Sequence, residues 1–102
     1  MNHTRQQLLN VLEKVAHLLG ECQHTDKASW FREHLAHVQN CPDDRALTEI
    51  ARSVQTVIGG IGSFSDLSLI PGPRSCLSIR EAHDLQWELV DELDRVTAQI
   101  LT

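Results

Sequence analysis

The stretch that decides the fold is Ser78-Ile79-Arg80-Glu81-Ala82-His83-Asp84-Leu85-Gln86-Trp87-Glu88-Leu89-Val90-Asp91-Glu92-Leu93-Asp94-Arg95-Val96-Thr97-Ala98-Gln99-Ile100. Ser78 and Glu81 stand three residues apart just ahead of an apolar period. That is the spacing of a capping box, in which the hydroxyl serves the N3 amide and the carboxylate reaches back to the N-cap amide. Ala82, Leu85, Leu89, Leu93, Val96 and Ile100 then fall in a stripe about 80° wide at 100° per residue. The spacing predicts a long C-terminal helix with one buried face.

Working back from Ser78, the period vanishes between Gly60 and Ser78. The run Gly60-Ile61-Gly62-Ser63-Phe64-Ser65-Asp66-Leu67-Ser68-Leu69-Ile70 mixes backbone-permissive and apolar residues, and Pro71-Gly72-Pro73 follows. This predicts an ordered loop with a short strand or helical turn at 64–70. So long a connection is unusual in a compact domain, so Ile61, Phe64, Leu67 and Leu69 are expected to be anchored partly in the core.

Three further helices precede the loop. Pro42-Asp43-Asp44 suits a helix N-terminus, where free N–H groups and the macrodipole favour proline and acids. Leu47, Ile50, Ala51, Val54 and Ile58 mark that helix, which is expected to end at Gly59-Gly60. A second helix runs from Thr25 or Asp26, either able to cap it, to about Gln39, with Ala28, Phe31, Leu35 and Val38 inward. Asn40-Cys41-Pro42 breaks it. A first helix over 3–20 has Leu8, Leu9, Leu12, Val15, Ala16 and Leu19 in a stripe about 120° wide, with Gly20 as its expected stop. The expected fold class is all-α: a compact bundle of about four helices, with a Gly-rich ordered loop before the long C-terminal helix, forming one domain over residues 1–102.

Composition agrees with a globular chain: 102 residues, 41% apolar and 23% charged. At this mass roughly 65% of the unfolded chain's surface can be buried, enough for a core without staples. No segment reaches the ~18 apolar residues of a membrane span, and Met1-Asn2-His3-Thr4-Arg5-Gln6-Gln7 does not open a signal peptide. Cys22, Cys41 and Cys76 form an odd set without a CxxC, which suits reduced thiols. A cytoplasmic protein without membrane association is expected. Net charge is −5. Residues 1–58 hold seven acids and six bases, whereas residues 59–102 hold seven acids and three bases, so the acidity lies in the tail. Lysine occurs only at positions 14 and 27, which disfavours direct nucleic-acid binding.

The residues that could carry chemistry form no recognisable machinery. Cys22, His24, His34, His37 and Cys41 gather in the second segment, and His34 and His37 lie one turn apart. Their spacing matches no standard zinc motif, so exposed or capping histidines are expected, with no metal and no cofactor. Gly59, Gly60 and Gly62 invite a phosphate-loop reading, but no Gly-Lys-[Ser/Thr] follows and no strand precedes. Ser63 and Asp66 are expected to be structural. With no catalytic residue in sight, the chain is expected to be non-enzymatic.

The informative surface is the outer face of the last helix. With Leu89 at the centre of the buried face, Arg80, Asp84, Trp87, Asp91 and Asp94 fall within about 40° of the opposite pole. A large aromatic among carboxylates on a polar rim is a common protein-interface anchor. Asp84, Trp87, Glu88, Asp91 and Asp94 are therefore the candidate partner-binding residues, and a protein with a basic surface, such as a nuclease, is the expected partner. The competing arrangement buries Trp87 and Val90 against the Gly-rich loop. A helical adaptor or homodimer with Trp87 in a self-interface is the alternative function.

Three blocks taken together carry a family resemblance: Ser29-Trp30-Phe31-Arg32, Gly59-Gly60-Ile61-Gly62-Ser63-Phe64-Ser65-Asp66-Leu67, and the acidic C-terminal helix. The chain resembles a family of small bacterial domains of unknown function with a Gly-Gly-[Met/Ile]-Gly-Ser-[Phe/Leu]-x-Asp-Leu signature. Many of that family's members lie beside polymorphic or contact-dependent toxin genes. The resemblance implies an immunity protein that binds and neutralises one cognate toxin, and it supplies no catalytic residue. The chain departs from the pattern at Ile70-Pro71-Gly72-Pro73, where the family often has further polar residues.

Overall fold

In the computed structural model, which describes residues 2–59 and 63–102, four helices form an all-α bundle: α1 (Asn2–Glu21), α2 (Thr25–Asn40), α3 (Asp44–Gln55) and α4 (Ile79–Leu101). One 3-10 turn, Phe64–Asp66, interrupts the loop before α4. α1 packs on α2 and α4, while α4 also packs on α3 and the turn. This dual packing explains why α1 buries more than one stripe predicts. Val11 and Leu18 are fully covered beside Leu8, Leu12, Val15, Ala16 and Leu19, so the buried face is about 160° wide. Leu9, expected inside, is only partly buried at the edge.

The end of α1 corrects the expected stop at Gly20, which stays helical. The chain turns instead at Gln23, whose φ is 66°. Its N–H donates to Gly20 O (3.2 Å) and the His24 N–H to Leu19 O (2.9 Å), the bond pair of a Schellman motif with glutamine in the left-handed position. The N-cap of α2 is likewise His24 rather than Thr25 or Asp26, and no side chain caps it. The His24 ring reaches across to Ser68, its Nε2–H donating to that carbonyl at 3.0 Å. At the other end of α2, Arg5 of α1 donates from Nε to Val38 O (3.1 Å) and from Nη2 to Gln39 O. Two carbonyls left over by the helix end thus receive a cationic donor.

Ala28, Phe31 and Val38 of α2 are buried as expected, and Leu35 is half-buried. In α3, Asp43 is the N-cap and accepts from Ala46 N at 2.9 Å. That helix ends at Gln55, short of the expected Gly59, and Val57 and Ile58 lie in a following turn. Their carbonyls accept from Phe64 N (2.7 Å) and Ser65 N (3.1 Å), which fastens the 3-10 turn to the end of α3. Phe64 and Leu69 are buried and Leu67 is half-buried, the anchoring that the loop's apolar residues predicted. Ile61 lies outside the described residues.

The loop then passes over the end of α1, where Gly72 N–H donates to Glu21 O at 2.8 Å. A Cβ at Gly72 would lie 2.7 Å from Gln23 Nε2, the end of a flexible exposed side chain that would have to move aside. α4 opens with the expected capping box: Ser78 N–H donates to Glu81 Oε1 at 2.9 Å and Glu81 N–H to Ser78 Oγ at 3.0 Å. The bonds to the Ser78 backbone and side chain hold the Glu81 carboxyl below the usual carboxylate range. Ala82, Leu89, Leu93 and Val96 are buried, with Leu85 and Ile100 half-buried.

Candidate partner-binding surface

α4 is long because its cap and apolar stripe both favour it, and the stripe turns the opposite face to solvent. Asp84, Trp87, Glu88, Asp91 and Asp94 are all exposed, with Trp87 47% accessible. Of the two arrangements open to Trp87, the exposed one is found, while Val90 is half-buried against the core. Ile79, 63% exposed, sits two turns before Trp87 at i, i+4, i+8 spacing with His83 between them, so an apolar ridge runs beside the acids.

Trp87 is held in place on this surface. Its Nε1–H donates to His83 Nε2 at 3.1 Å, and the two rings meet edge to face with centroids 6.4 Å apart. An indole nitrogen can only donate, so Nε2 of His83 is the acceptor and a neutral His83 carries its proton on Nδ1. That nitrogen lies 3.9 Å from Asp84 Oδ1. His83 thus orients the indole, at modest entropic cost to a docking partner.

α4 carries six acids, Glu81, Asp84, Glu88, Asp91, Glu92 and Asp94, against only Arg80 and Arg95. Among the described residues, Glu88, Asp91 and Asp94 have no ion-pair partner. Glu92, at the side of the face, meets Lys14 of α1 at 3.9 Å, a largely exposed pair that contributes about 0–1 kcal/mol. With Arg80 and Arg95 also exposed on this helix, the acids still outnumber the bases, so the outer face of α4 is net negative and attracts cationic side chains.

Sequence reasoning missed the residue that ties this helix to the loop. Gln86, only 2% exposed, donates from Nε2 to Phe64 O (2.8 Å) and Leu67 O (2.9 Å). Both amide hydrogens are thereby used on the backbone of the turn. The available signal was an amide side chain standing beside the apolar stripe, where an unpaired polar group would be costly. Thr97, also fully buried, donates to Leu93 O (2.7 Å) and accepts from Gln55 Nε2 (3.1 Å), linking α3 to α4.

The remaining candidates are dispersed. Cys22 is buried, and burial chiefly, with Glu21 beside it, pushes its thiol pKa up. Cys41 is half-buried and Cys76 exposed. His24 is engaged by the loop, and His34 stacks on Trp30 with ring centroids 3.6 Å apart. Among the described residues, no three His, Cys, Asp or Glu side chains come together as a metal-ligand set. Ser63 is buried, with Oγ 3.2 Å from Ser65 Oγ, and Asp66 is exposed. Gly60 and Gly62, on which a phosphate cradle would depend, lie outside the described residues. Among the described residues no helix is long and apolar enough to cross a membrane. No protein-family model, curated protein or solved structure matches the chain.

Proposed function

We propose that the chain is a non-enzymatic immunity protein of the bacterial cytoplasm, which binds and neutralises a cognate toxin domain with a basic surface, such as a nuclease. The observation that carries this reading is an oriented, half-exposed indole among unpaired carboxylates on one face of α4. The field of Asp84, Glu88, Asp91 and Asp94 speeds encounter with a cationic surface, and close pairs set the register. Trp87 then supplies the desolvated anchor at the centre of the contact. A nuclease surface built to attract phosphate is the kind of target such a face complements. The family resemblance of residues 29–32 and 59–67 points the same way.

Homodimerisation or an adaptor role is the second reading, favoured by the exposed Ile79 and Trp87. A symmetric contact through this face would set two unpaired acidic rows against each other, which opposes it. Sequencing the flanking genes and co-expressing the chain with any toxin domain found there tests the proposal. Growth is expected to be restored by the wild-type chain and not by a variant carrying Asp84→Lys, Asp91→Lys and Asp94→Lys. Failure of the wild-type chain to protect, or full protection by a folded triple variant, refutes it. Sedimentation of the isolated chain as a concentration-dependent dimer would favour the second reading.

A further inference from the structure

A second surface, unrelated to α4, has the chemistry of a transition-metal site. His34 Nδ1 lies 2.9 Å from the Trp30 carbonyl one turn earlier. A carbonyl can only accept, so Nδ1 must carry the proton, and the lone pair of a neutral His34 is fixed on Nε2. This backbone bond is the outer-shell contact that metal-binding histidines use to set tautomer and ring orientation. Stacking on Trp30, 3.6 Å between centroids and 21° between planes, fixes the ring further. His37, exposed and one turn on, places its ring 5.7 Å from that of His34 at 58°. Two imidazoles sharing one ion at about 2.1 Å have centroids roughly 4.5–6.4 Å apart, so the observed spacing already falls in the range of a chelate.

Both rings line an open groove of about 380 Å³ between α2 and α3, with Cys41 and Glu49 on its walls. The groove leaves room for the solvent ligands that a two-imidazole site needs. We infer that His34 and His37 form a surface site for an imidazole-preferring divalent metal of the nickel, copper and zinc group. The metal would staple one turn of α2, and it is a ligand of this surface and no part of the proposed docking on α4. Sequence spacing set these histidines aside because no ligand quartet was present. What spacing does not give is the tautomer, which the Trp30 carbonyl decides.

Trp30 is a built-in reporter, since a paramagnetic ion on His34 would sit next to its stacked indole. In a Trp87→Phe background, which leaves Trp30 as the only indole, Ni²⁺ titration is expected to quench fluorescence saturably with one equivalent bound, reversibly on adding EDTA. His34→Gln or His37→Gln is expected to weaken that binding at least about tenfold, because one ligand of a two-ligand chelate is lost. In the wild-type chain, which avoids any folding defect of the variants, Ni²⁺ is expected to broaden the ring proton resonances of His34 and His37 before those of His3, His17, His24 and His83. Quenching that survives both substitutions, that never saturates, or broadening that begins at another histidine overturns the inference.

Discussion

Gln86→Leu is the substitution that probes most sharply how the loop is fastened to the bundle. The side chain is 2% exposed, and its amide nitrogen serves two carbonyls of the turn, Phe64 O in the interior and Leu67 O nearer the surface. Leucine has a similar volume but no donor, so Leu67 O loses the amide and Phe64 O keeps only the long bond from Leu67 N–H (3.4 Å). With neither acceptor left fully stranded in the interior, each lost bond costs about its net value, about 1 kcal/mol. The sum is about 2 kcal/mol. For a domain of this length each kcal/mol moves the midpoint by roughly 4–8 °C, so Tm should fall by roughly 8–16 °C. Urea unfolding followed by far-UV circular dichroism measures the loss, with the slope m unchanged if the cost is in the native state. Gln86→Glu gives an internal check. A protonated carboxyl can donate to one carbonyl, whereas a carboxylate is repelled by both, so burial raises its folded pKa and stability is retained at low pH and lost as pH rises. A loss below about 0.5 kcal/mol in Gln86→Leu, the level of an ordinary surface substitution, would refute the claim that this amide anchors the loop.

Other expectations follow from the termini of the helices and from the thiols. Gly20 is inside α1 with its nearest outside atom, Arg32 Nη2, 3.5 Å from a built Cβ, so Gly20→Ala should stabilise by about 1 kcal/mol in the same urea assay. Gln23→Gly, which relieves the positive φ at the end of α1, should raise stability by about 0.5–1 kcal/mol, and a loss would show that the glutamine side chain matters more than the backbone. Glu81 is held below its ordinary value of 4.5 by Ser78. Its contribution is therefore present above that value and lost as pH falls through the lower folded value, so the Tm gap between wild type and Glu81→Gln should be widest near neutrality and close on acidification. Iodoacetamide followed by mass spectrometry should label Cys76 first and Cys22 only on unfolding, because burial both shields the Cys22 thiol and raises its pKa.

The helices were legible because their signals are local and redundant. Ser78 and Glu81 announced α4, and the stripe from Ala82 to Ile100 oriented it, but the arithmetic left Trp87 either exposed or buried against the loop, and the structure exposes it. What the sequence concealed depends on partners distant along the chain. Val11 and Leu18 looked peripheral because a single stripe presumes one neighbour, whereas α1 has two. Gly20 looked like a stop because glycine favours the left-handed region, but the chain places Gln23 there and keeps Gly20 helical. Gln86 was silent because its acceptors lie 19 and 22 residues away in an aperiodic loop. The acidic face was visible as a pattern, but the orientation of its indole by His83 was not, since it needs the rotamers of both side chains.

The most direct test of docking through α4 is an NMR titration of the labelled chain with whichever toxin domain the co-expression test identifies, in an inactivated form. Docking through this face predicts that the Trp87 indole resonance and the backbone amides from Asp84 to Asp94 shift first and furthest, with affinity falling steeply as salt is raised. A tight complex in which the Trp87 indole and these amides stay in place would contradict it.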